Sequence, residues 1–68
     1  MRVVVNGEPR ELPAHTTVAA MMAGLPGVPG GRGVAVAVDG EVVARGGWER
    51  TELADGSHVE VVMAVQGG

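Results

Sequence analysis

The chain alternates short apolar runs with turn pairs, and that alternation predicts its elements. Met1 to Val5 is a β-branched run, and Asn6-Gly7 directly after it is the pair that best accepts positive φ at both central positions of a type I′ turn. A hairpin therefore opens the chain. Its return arm, Glu8 to Leu12, contains Pro9, which cannot donate to a ladder and so marks an edge strand or a strand start; Pro13 closes the arm. Thr16 or Thr17 is placed to cap a helix, in which Val18, Met21, Met22 and Leu25 recur at i, i+3, i+4 and i+7. That helix is about two turns long, with Gly24 where a left-handed C-cap belongs and Pro26 just beyond.

Leu25 to Gly33 is a Gly- and Pro-rich connection that lacks the Gly-Lys-Ser/Thr of a phosphate loop. Val34 to Val38, the turn pair Asp39-Gly40 and Glu41 to Arg45 form a second hairpin. Gly46 to Leu53 reads as irregular, with Trp48 either a packing anchor over an edge of the sheet or a contact for a partner, and Asp55-Gly56 turns the chain into a last strand, Ser57 to Val65. On that strand Val59, Val61, Met63 and Val65 share the face expected to be core. His58, Glu60, Val62 and Ala64 share the other. Val62 and Ala64 thus leave an apolar spot beside the chain end, the expected docking point for a protein partner. Two hairpins, a helix between them and a final strand make an α+β layer pair, a four- or five-stranded sheet with one short helix packed on one face. The count fits a β-grasp.

Composition narrows the function. With 46% apolar and 19% charged residues the chain folds, and its length gives one domain. Trp48 is the only aromatic residue, and a net charge of −3 with five basic residues excludes a nucleic-acid footprint. There is no cysteine, hence no disulfide and no thiolate for metal or nucleophilic chemistry, so any sulfur must come from elsewhere. No apolar run is long enough for a signal peptide or a membrane span, which makes a cytoplasmic protein with no membrane partner the expectation. His15 and His58 lack ligand-spaced partners, and the acidic residues fall in turns and on solvated faces. No catalytic constellation forms, so the chain is expected to be a substrate of other enzymes and not an enzyme itself.

The strongest candidate chemistry lies in Val65-Gln66-Gly67-Gly68. Glycine has no Cβ, so Gly67 and Gly68 can thread extended through a channel too narrow for side chains, with Val65 and Gln66 aligning them. Residues 1–65 are then the folded domain and 66–68 a flexible diglycine tail. The tail presents an α-carboxylate, inert until a partner joins it to AMP. With 12 glycines in 68 residues, chance ends such a chain in Gly-Gly about three times in a hundred, so the pair gains its meaning from context.

That context is a resemblance. Val5-Asn6-Gly7-Glu8, Glu11-Leu12-Pro13 before Thr17-Val18-Ala19-Ala20, the hairpin Val36 to Val43, the Trp48 segment, and Leu53-Ala54-Asp55-Gly56-Ser57 leading to the closing strand and diglycine together resemble ThiS, the family of sulfur carriers in thiamine biosynthesis. The resemblance implies a ubiquitin-like fold, a mixed sheet with its first and last strands parallel and central. It also implies a reaction: an E1-like adenylating enzyme activates the Gly68 carboxylate with ATP and magnesium, a persulfide sulfur donor converts it to a thiocarboxylate, and thiazole synthase takes the sulfur. Two features depart from the family pattern, Met63 in place of a basic residue and a long Gly30-to-Gly33 loop. The same architecture would suit a carrier for molybdopterin, cysteine or a specialised metabolite, a ubiquitin-like protein modifier, or a binding module whose valine-rich edge joins another sheet.

Overall fold

The computed structural model describes residues 1–25 and 33–63. Left-handed backbone appears where the turn pairs stand: φ is 51° at Asn6, 84° at Gly7, 49° at Asp39 and 85° at Gly40. The first pair joins β1 (Arg2–Val5) to β2 (Glu8–Glu11) and the second joins β3 (Val34–Val38) to β4 (Glu41–Val43), both antiparallel. Between the hairpins lies α1 (Val18–Ala23), and β5 (His58–Met63) follows them. The strands form one mixed sheet in the order β2-β1-β5-β3-β4, with β5 in the middle, parallel to β1 and antiparallel to β3. The expected α+β architecture, one short helix on one face of a mixed sheet, is the one found, and of the four or five strands expected the sheet has five.

The core lies between that helix and the sheet. Val3, Val5, Val36 and Val59 from three strands meet Val18, Met21 and Met22 of α1, and Trp48 and Leu53 close the layer from the β4–β5 connection. This connection is ordered by its hydrogen bonds. Trp48 is buried and its indole N–H donates to the Val43 carbonyl at 3.0 Å. A 3₁₀ turn at Arg45–Gly47 brings it inward, so the return arm expected to reach Arg45 ends at Val43. The same segment completes the start of α1: the N–H groups of Val18 and Ala19 donate to the carbonyls of Thr51 and Trp48, and that of Ala20 to Thr17 Oγ1. Three of the four donors a helix N-terminus normally leaves unpaired are thereby satisfied. Of the two threonines, Thr17 is the cap.

Two expectations are corrected. Gly24 is not left-handed; its φ is −92°, and its N–H bonds back to Met21 in a tightened last turn that any residue could adopt. Met63, placed by alternation on the core face, is 49% exposed. A six-residue helix spans about 9 Å, whereas a six-residue strand spans about 20 Å, so the end of β5 runs out from under its cover. Burial accordingly falls along one face, from Val59 to the partly buried Val61 to Met63.

The sheet edges are blunted. Val4 donates its N–H to Ser57 at 2.9 Å, so its backbone faces β5 and its cross-strand partner Pro9 turns its nitrogen outward. The missing donor therefore falls on the free edge, which hinders addition of a foreign strand there. The opposite edge, β4, has three residues. No helix among the described residues is long and apolar enough to cross a membrane.

Candidate functional site

The candidate site begins where β5 leads toward the chain end. Its base is held from both sides. On the β3 side, antiparallel pairing runs from Val38 opposite Val59 to Val34 opposite Met63. On the β1 side, Val4 and Asn6 donate backbone N–H groups to Ser57 and Val59, each at 2.9 Å. There β1 ends, and the Asn6 side chain takes over: Oδ1 accepts from Val61 N at 2.8 Å and Nδ2 donates to Val61 O at 3.3 Å. An amide side chain imitates a backbone unit and extends the ladder by one rung.

Val62 is 62% exposed on the uncovered face of the sheet. Register places Ala35 opposite Val62, and Ala37 between Glu60 and Val42, all on that face. Val42 is 77% exposed, so a small-residue and valine strip crosses β5, β3 and β4 beside the tail base. Sequence reading found Val62 and missed Ala35, Ala37 and Val42. The signal was present in the strict Val-Ala alternation of β3, which puts only alanines on the open face. Ala64, Val65, Gln66, Gly67 and Gly68 lie outside the described residues.

Among the described residues the titratable groups form no catalytic cluster. Arg2 Nε binds Glu11 at 2.8 Å, and that hydrogen bond and charge push the Arg2 pKa up. His15, in a left-handed conformation at φ 69°, meets Glu52 at 3.0 Å on the exposed side of the α1 N-terminus. Both histidines are exposed. Among the described residues no group of three His, Cys, Asp or Glu is placed to hold a metal. What the geometry offers is a firmly anchored strand end with an apolar strip at its side, a presentation platform for whatever follows Met63.

Strand order 2-1-5-3-4, a parallel β1–β5 pair and a single helix across one face define a ubiquitin-like β-grasp domain. A model of the ThiS family matches residues 3–68. The chain belongs to the ThiS family, small sulfur carriers of thiamine biosynthesis. The crystal structure of thiamine biosynthesis protein ThiS from Geobacter metallireducens is similar to it over the whole of both chains, with a TM-score of 0.84 and 30% identity. The solution structure of a thiamine biosynthesis protein from the same organism covers all of this chain with 88% of its own, at a TM-score of 0.77 and 30% identity. The comparison with curated proteins gave no match.

Proposed function

We propose that this chain carries sulfur for the thiazole of thiamine on the carboxylate of Gly68, as a substrate of partner enzymes. The observation that carries the reading is the family match through residue 68, which takes in Gly67 and Gly68. In the proposed first step a Gly68 carboxylate oxygen attacks the α-phosphorus of magnesium-bound ATP on an E1-like adenylating enzyme. Pyrophosphate leaves, and the acyl carbon now bears AMP, a far better leaving group than oxide. A partner's persulfide then attacks that carbon and expels AMP. A second thiol cleaves the resulting acyl disulfide, leaving a thiocarboxylate on Gly68 and a disulfide on the donor side. Thiazole synthase accepts the sulfur.

The fold supports this role in two ways. The β1–β5 pairing, prolonged by Asn6, anchors the strand from which Val65, Gln66 and Gly67 would thread into the partner. Val62 is exposed on that strand and would offer that partner, together with the following Ala64 of the sequence, an apolar docking point, the composition of an interface core. All this chemistry belongs to the partners, and the carrier supplies reach and a nucleophilic end group in a cytoplasmic reaction. The test is to incubate the chain with ATP, magnesium, the adenylating enzyme of the same cell and a sulfide source, then measure intact mass. Replacement of one oxygen by sulfur in the C-terminal peptide, dependent on ATP, is the expected result. An unmodified tail with a demonstrably active partner overturns it, and thiol-resistant conjugates on a denaturing gel would indicate a protein modifier instead.

A further inference from the structure

Arg10 stands in β2 directly opposite Val3, so its side chain lies on the helix-covered face of the sheet. There it is partly buried, and its Nε is the one buried side-chain nitrogen or oxygen among the described residues that meets no hydrogen-bond partner. Arg2, by contrast, is paired with Glu11, and Arg45 lies 5.3 Å from the Trp48 ring centroid. Glu8 sits two residues away on the same face, yet the ion pairs of the described residues are Arg2–Glu11 and His15–Glu52. A desolvated donor without an acceptor is unfavourable, and it is relieved by any carboxylate that can reach it.

Space for such a group exists. Arg10 lines a groove of about 230 Å³ together with the polar Asn6 and Glu8 and the apolar Val5, Leu25, Val61 and Met63. Met63 is where the described part of β5 ends, so the groove adjoins the tail base from the helix side while Val62 adjoins it from the open side. We propose that this groove is a second contact surface for the adenylating enzyme, receiving an acidic side chain onto Arg10 and a neighbouring apolar side chain against Leu25 and Val61. This inference rests on the carrier reading above. The guanidinium presents a planar fork matched to a carboxylate, and a partner side chain seated against Leu25 and Val61 would displace water that otherwise weakens the pair. Gripping the strand end from both faces would fix its direction as well as its position. The chain carries a net charge of −3, so a buried Arg–carboxylate contact runs against its overall field and would set register and partner choice.

The test is calorimetric titration of the adenylating enzyme with the full chain, comparing wild type, Arg10→Gln and Arg10→Lys. Arg10→Gln should raise Kd by about tenfold or more, as loss of a charged hydrogen bond to a buried partner group does. Arg10→Lys should recover part of the loss, because it keeps the charge and forfeits the fork. Thermal melting of each variant reports folding separately, and Arg10→Gln should melt no lower than wild type because no bond within the domain is lost. Equal Kd for wild type and Arg10→Gln, with wild-type thiocarboxylation intact, overturns this inference alone. Failure of the wild type to bind or be modified overturns the carrier reading and this inference with it.

Discussion

Asn6 and Val61, 55 residues apart in sequence, are joined side chain to backbone by two hydrogen bonds of 2.8 and 3.3 Å. The same asparagine holds φ at 51° in the first turn. One residue thus closes the opening hairpin and fastens the closing strand, and the two roles are separable by substitution. Asn6→Gly keeps the turn, since glycine accepts the left-handed backbone at least as well, but removes both bonds. The cost should be about 1 kcal/mol of stability, and amide exchange at Val61 should accelerate beyond that of the rest of β5. Exchange at Val61 rising only in step with its neighbours would show that the side chain holds nothing.

The core hangs on Trp48 to an unusual degree, because the rest of it is valine, methionine and one leucine. Trp48→Ala should cost about 3–5 kcal/mol, comparable to the whole stability expected of so small a domain, roughly 3–10 kcal/mol. Circular dichroism is the proper probe, since the substitution removes the only tryptophan. Trp48→Phe should retain the fold at reduced stability, losing the bond to Val43. A Trp48→Ala variant that melts within a few degrees of wild type would place the indole among docking residues instead.

Much of this architecture is legible in the sequence because its signals are local. Asn6-Gly7 and Asp39-Gly40 specify backbone angles, Pro9 specifies an edge, and Val18, Met21 and Met22 mark one helix face, so each element follows from its own residues. What stayed hidden depends on lengths and on distant partners. Met63 alternates correctly but extends past the helix that covers Val59, which no period reveals. Gly24 carries the residue of a left-handed cap without the conformation, because the helix closes with a tight turn first. The segment before β5 looks irregular, yet its carbonyls complete the α1 N-terminus through pairings of about thirty residues in separation, a tertiary relation outside any local window. Arg10 gave no sequence signal at all, since an unpaired guanidinium is defined by what fails to surround it.

Val62 offers the cleanest separation of docking from folding. It is 62% exposed and opposite Ala35 on the uncovered face, so Val62→Glu should change stability by no more than about 0.5 kcal/mol. Binding to the adenylating enzyme should nonetheless weaken by about tenfold or more, because a charge is driven into an apolar contact. Unchanged affinity with unchanged melting would remove this face from the interface. Val42→Glu, on the same strip but across two strands from the tail base, should have a smaller effect, and the gradient between the two maps how far the interface extends.

Gly68 tests the chemistry without touching the fold, because it lies five residues beyond the end of β5 at Met63. On the proposed reading, a Cβ at this position would obstruct the partner's channel for the tail, and a residue added after it would move the carboxylate away from the bound α-phosphate. Attack on phosphorus requires reacting atoms about 3–3.5 Å apart, whereas one added residue displaces the end group by about 3.4 Å. Both Gly68→Ala and the one-residue extension should therefore abolish adenylation, read as ATP–pyrophosphate exchange, while melting and the Kd for the adenylating enzyme stay close to wild type. Loss of exchange with docking retained is the signature of a tail that reacts and a domain that binds. Exchange at the wild-type rate in either variant would mean that the end of this chain is not the group being activated.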